Sequence, residues 1–134
     1  MRMWMINPKL MCNQHLLGEH VECHMFIGAM NKLKSMTGFI DKQLLEIHNL
    51  TNRHEELVQE MNRRGMKHNS PIDCSNISQM NVNNQIIEWN WKLDQMGNID
   101  RIENVKELFR RCDKCRAVQN EFNSNQNVFT FNNN

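Results

Sequence analysis

Two groups near the start of the chain have the chemistry of an amine catalyst: the α-amine of Met1 and the carboxylate of Glu22. An α-amine has an ordinary pKa of about 7.7–8.0, so part of it is an unprotonated nucleophile near neutral pH. Such an amine can attack a sugar C1′ and form an imine, while a neighbouring carboxylate stabilises the cation and moves protons. Arg2 is too large for routine removal of an initiator methionine, so the expected nucleophile is Met1 itself. The plainer alternative is a frayed end and a solvated helix carboxylate, since most helical glutamates lie at the surface.

Other residues offer other chemistry. His15, His20 and His24 stand with Glu19 and Glu22, and His20 and His24 are four apart on one helix face, as metal-binding histidines often are. A glutamate directly after the first histidine is missing, because Val21 stands there, and no metal is expected. Cys112-Asp113-Lys114-Cys115 is a CxxC, but a structural zinc site needs a second ligand pair. Cys12, Cys23 and Cys74 show no such spacing, so buried thiols on one helix are expected. Basic residues gather at Lys32 and Lys34, at Arg63, Arg64 and Lys67, and at Arg110, Arg111, Lys114 and Arg116. Such groups supply phosphate contacts on DNA, although abundant acids also suit an ordinary solvated surface. Trp89 and Trp91 suit either base stacking or closure of the core.

The elements that must position these groups are mostly helical. An extended start meets Asn7-Pro8, and Asn13 can cap a helix from about Gln14 to Leu33 with Leu16, Leu17, Val21, Met25, Ile27, Met30 and Leu33 on its apolar face. Glu46, Ile47, Leu50, His54, Leu57, Val58 and Met61 set the rhythm of a second helix that ends at Gly65. Asn52 and Glu55 have capping-box spacing but can lie inside that helix. Residues 66–80 read as loop, and 86–93 alternate without hairpin flanks. A third helix is expected over 99–122, with Ile102, Val105, Leu108, Phe109, Cys112, Val118 and Phe122 inward.

At 134 residues the chain suits one domain, here 1–122, followed by an Asn-rich flexible tail over 123–134. The mean hydropathy of -0.69 suits a lean core in which eleven methionines fill irregular gaps. A net charge of +1 decides nothing about nucleic acid, so the electrostatic argument rests on the local clusters. No apolar run nears the roughly 20 residues of a membrane span, and no secretory signal is evident. Five cysteines without framework spacing favour a reducing compartment. The expectation is an intracellular protein of the cytoplasm, or of the nucleus in a eukaryotic cell, and a monomer.

Met1-Arg2-Met3-Trp4, Asn7-Pro8-Lys9, Gln14-His15-Leu16, Glu19, Glu22, Gly28-Ala29 with Lys32, and the run Arg53 to Gly65 together carry a resemblance. The chain resembles the pyrimidine-dimer DNA glycosylases with abasic-site lyase activity, the endonuclease V type of phages. Its opening, and Arg111-Cys112-x-x-Cys115-Arg116, look like a branch that begins Met-Arg-(apolar)-Trp. The resemblance is close over residues 1 to about 70.

The spacing gives about three helices, and the resemblance implies that they form a compact α-helical bundle with an extended N-terminal segment threaded between them. It also implies a terminal amine as nucleophile, with Glu22 as the acid/base group, and Arg2, Gln14 and His15 beside damaged double-stranded DNA. No cofactor and no metal are implied. Val21 and Met25 stand where the best-known member carries arginines. The function expected is a metal-independent repair glycosylase and abasic-site lyase acting on pyrimidine dimers or another lesion. The alternatives are a non-catalytic DNA-binding relative and a metal-dependent nuclease using Glu19, His20 and His24.

Overall fold

The computed structural model describes residues 1–67 and 70–132, with side chains up to Ser124. The described residues form five α-helices, two short 3-10 turns and one two-stranded sheet. The helices are α1 (Asn13–Asn31), α2 (Thr37–Asp41), α3 (Leu50–Arg63), α4 (Arg101–Arg111) and α5 (Asp113–Asn132). The strands are β1 (Gln79–Val82) and β2 (Gln85–Glu88).

α3 follows its sequence from Leu50 onward, while Glu46 and Ile47, which the rhythm included, lie before it at a short 3-10 turn (Ile47–Asn49). Leu50, His54, Leu57, Val58 and Met61 are buried along one face. Gly65, at φ +78, ends the helix: its N–H reaches Asn62 O, and the Met66 N–H reaches Met61 O. That pair of bonds satisfies carbonyls the helix leaves over, and it needs a left-handed residue at Gly65. Asn52 and Glu55 lie inside the helix and are exposed, so they do not cap it.

α1 differs from expectation. Leu17, Val21, Met25 and Leu33 are exposed by 45, 46, 49 and 39%, and the buried face is Leu16, Glu19, His20, Cys23, Phe26, Ile27 and Met30. The apolar spacing misled because the facing helix α3 brings Arg53 and His54, which pack against polar side chains of α1.

The third expected helix is two, broken at Cys112, which is extended at φ -125. Asp100 caps α4 by accepting from the Glu103 N–H. The Arg116 guanidinium donates to the Phe109 and Arg110 carbonyls at the end of α4, which fixes the break. Leu108 is buried as expected, whereas Ile102 is 71% exposed and Phe109 lies at the surface of α4; beyond the break Cys115 and Gln119 are buried. α5 continues through most of the Asn-rich segment to Asn132, and residues 133 and 134 lie outside the described residues.

A hairpin occupies 79–88, where the flanks gave no sign of one. Its turn is Asn83-Asn84 at φ +55 and +61, the mirror-image turn that asparagine tolerates and that matches strand twist. Met36 N–H donates to Asn81 O and Asn83 N–H to Thr37 Oγ1, docking the hairpin beside α2. Residues 68 and 69 of the expected loop lie outside the described residues. Trp89 is buried edge-to-face on Trp91, whose indole N–H donates to Ile77 O, so both close the core rather than face a ligand. Gly97, at φ +96, runs so close to residue 45 that a Cβ would lie 2.0 Å from Leu45 O.

Candidate active site

The first six residues form an extended segment, and Met3, Trp4, Met5 and Ile6 are buried. Backbone groups of Met3, Trp4 and Ile6 each have a partner. Met3 N–H donates to Leu44 O (2.7 Å), Asn104 Nδ2 to Trp4 O (2.8 Å), and Arg53 Nη1 to Ile6 O (2.7 Å). Met5 sits in the left-handed region at φ 55, an uncommon conformation that the bonds on either side enforce. Arg2 lies over Trp4, with Cζ 3.7 Å from the ring centroid, and donates to Asn104 Oδ1 (3.0 Å). The segment is therefore held on both sides up to its first residues.

That anchoring brings the chain start to α1. The Arg2 backbone N–H donates to Glu22 Oε2 at 3.3 Å, so the Met1 amine lies one residue from the Glu22 carboxylate. Burial pushes the Glu22 carboxyl above its usual range. The Arg2 N–H and the Met1 ammonium oppose that rise without cancelling it, and buried Glu19 adds to it. A carboxyl raised this way gives up and takes back a proton nearer neutrality than an ordinary glutamate.

Two depressions meet this point. Trp4, Gln14, His15, Gly18, Glu19 and Glu22 line a cleft of about 190 Å³. Met1, Met25, Gly28, Lys32, Lys34 and Phe39 help line a second groove, of about 540 Å³. The small residues Gly28 and Ala29 keep that groove open, and Lys32 and Lys34 project cations beside the chain start.

The expected basic residues divide by environment. Lys32, Lys34 and Lys67 are exposed, and so is Gln14. Arg63 is exposed but bound to Glu60. Arg64 has a side chain only 15% exposed and bonds Glu60, Asn13 Oδ1 and Pro8 O, which makes it a tie between α3 and the N-terminal turn. Arg111 pairs with Glu107, and Arg116 caps α4. His15 turns its Nδ1 toward Cys12 Sγ (3.4 Å) and Cys115 Sγ (3.6 Å), and burial followed by nearby Arg111 lowers its pKa.

Glu19 gives both oxygens to Arg53, at 2.6 and 2.9 Å, with both side chains almost fully buried. It is committed there, so it does not ligate a metal together with His20 and His24; the third group beside those imidazoles is His54, with Nε2 3.2 Å from His24 Nε2.

Arg53 and Asn104 escaped the reading of the sequence. Arg53 carried one signal: it falls on the inward face of α3 between Leu50 and Leu57, where an arginine requires a buried acid. Asn104 had none.

A family model described as pyrimidine dimer DNA glycosylase matches residues 1–73. The match covers more than half of the chain, and the chain belongs to that family. It spans the N-terminal segment, α1 and all of α3, the elements that build the site above. No curated protein and no solved structure matches the chain. Among the described residues, no helix is long and apolar enough to cross a membrane.

Proposed function

We propose that this protein is a repair glycosylase with abasic-site lyase activity, using the Met1 α-amine as nucleophile and Glu22 as acid/base group on damaged double-stranded DNA. The observation that carries the reading is the Arg2 N–H to Glu22 Oε2 bond, which leaves the terminal amine beside a carboxyl of raised pKa. The amine attacks C1′ and the bond from C1′ to the base breaks, the base leaving with a proton. The resulting iminium is stabilised by ionised Glu22. Loss of a C2′ proton then breaks the C3′–O bond, and water releases the sugar from the amine. No metal enters these steps.

C1′ is hard to reach inside a stacked duplex, so the nucleotide or its partner must be displaced. Lys32 and Lys34, flanking the groove beside Met1, hold phosphates in this reading, with Arg2 and Gln14 nearer the cleft. Arg63, Lys67 and Arg111 add positive charge, Arg111 close enough to Arg2 and His15 to act on both. The lesion is a pyrimidine dimer or another altered base.

Borohydride trapping on abasic and ultraviolet-irradiated duplexes, with a native N-terminus, tests this. A covalent adduct should form, and it should disappear when the α-amine is blocked or Glu22→Gln is introduced. Full trapping by an amine-blocked protein would refute the reading.

A second reading, a DNA-binding relative without turnover, is favoured by one observation. Val21 and Met25 are half-exposed apolar residues with Leu17 on one ridge of α1, where the resemblance leads one to expect arginines. Tight binding to every damaged duplex with no adduct on any of them would decide for it.

A further inference from the structure

Three cysteines and a histidine that are about a hundred residues apart in the chain converge at one place. Cys12 is the N-cap of α1 and His15 lies in its first turn. Cys112 is the extended residue between α4 and α5, and Cys115 lies in the first turn of α5. We propose that Cys12, His15, Cys112 and Cys115 form a structural zinc site that fastens α5 to the start of α1.

Geometry is the first support. The four ligand atoms all lie within 4.8 Å of one another. A tetrahedral zinc with bonds of about 2.3 Å to sulfur and about 2.0–2.1 Å to nitrogen has S···N edges of about 3.6 Å and S···S edges of about 3.8 Å. His15 Nδ1 lies 3.4 Å from Cys12 Sγ and 3.6 Å from Cys115 Sγ, already at such an edge. The ring is aimed at two sulfurs through one nitrogen, which is a ligand's orientation.

Donor chemistry is the second support. The set is three thiols and one imidazole with no carboxylate, in a Cys-x2-His and a Cys-x2-Cys pair, and soft ligands in a tetrahedral arrangement select zinc over hard cations. Four protein ligands leave no open position, so the role is structural and the amine chemistry at Met1 stays metal-independent.

The surroundings suit thiolates. The Cys12 N–H donates to Cys115 Sγ (3.2 Å) and the Cys115 N–H to Cys112 Sγ (3.4 Å). Such outer bonds orient the ligands and offset negative charge on sulfur. Both pairs sit at the N-terminal ends of long helices, where the backbone dipoles favour anions. None of the three cysteines is in a disulfide.

A zinc here has a consequence for the neighbouring cleft. His15 lines it together with Glu22, so the site would fix one wall of the cleft. His15 then acts as a ligand, not as a phosphate contact.

The test is the metal content of the full chain, purified under reducing conditions without chelator. About one zinc per chain is expected, and it should be lost in the Cys112→Ser, Cys115→Ser double variant. Because that variant can fail to fold, the wild-type chain is also stripped and titrated with cobalt. Thiolate-to-cobalt charge transfer and the intense visible bands of a tetrahedral ion are the expected signature, displaced by one equivalent of zinc. The proposal is overturned by a chain that takes up no zinc after reduction, or by unchanged zinc content in the folded double variant. A cobalt spectrum without thiolate bands, or a Cys112–Cys115 disulfide in the freshly isolated protein, overturns it equally.

Discussion

Glu19 and Glu22 stand three residues apart on α1, carry the same group, and meet opposite environments. Glu19 is buried and gives both oxygens to Arg53, which also holds the Ile6 carbonyl and so ties the N-terminal segment to α3. Glu22 is half-buried, receives the Arg2 backbone N–H, and faces a cleft with its pKa raised. A carboxylate saturated by a guanidinium has no capacity left for a substrate. One that is desolvated but under-bonded keeps its capacity for proton transfer. The first builds the frame, and the second is presented by it.

Substitution at the frame should have the largest effect on stability. Glu19→Ala leaves Arg53 buried without its carboxylate, and a loss of about 3–5 kcal/mol is expected in urea unfolding. A loss below about 1 kcal/mol would mean that the pair does not anchor the segment. Next comes Asn104→Ala, which strands the Trp4 carbonyl and removes the acceptor of one Arg2 hydrogen bond. About 1–3 kcal/mol should be lost, with a drop in borohydride trapping beyond the change in folded fraction. Unchanged trapping in the folded variant would separate the anchoring from the chemistry.

Titration should distinguish the carboxylates further. Burial raises Glu46, but hydrogen bonds from Arg101, Asn49 and the Ile99 N–H outweigh it and hold it below its usual range. The Arg63 hydrogen bond lowers Glu60, burial opposes it, and Arg64 adds to the lowering. Both therefore contribute stability that is present above about pH 4.3 and is lost as pH falls through their folded values. Arg101→Met should flatten that acid limb of the unfolding profile.

Glu22 has the reverse sign. Its folded pKa is raised, so its ionisation costs stability as pH rises from the ordinary glutamate value through the folded one. Glu22→Gln removes that cost, and a small gain in Tm at pH 7 should accompany the loss of trapping. A lower Tm at pH 7, with no gain relative to pH 4, would place Glu22 with the frame.

Local features were legible wherever neighbours in sequence decide the outcome. The face of α3 and its Gly65 stop follow from spacing and from one left-handed residue. The face of α1 was misread, because Glu19, His20 and Cys23 are buried against groups of other segments. The hairpin hid in Asn83-Asn84, a turn whose signal is backbone geometry more than composition. Arg64 and Arg116, expected at phosphates, also hold carbonyls and a carboxylate within the fold, contacts that spacing does not show.

The chain's own residues determined the helical content of the first half, the family, and the candidate pair Met1 and Glu22, because those depend on periodicity and on a contiguous motif. Only tertiary structure decided which glutamate is saturated, and only it brought Cys12 and His15 to Cys112 and Cys115. Those outcomes rest on contacts over 34 and about 100 residues. Spacing along a chain constrains near neighbours through helix geometry, but which distant groups meet is set by how buried faces pack.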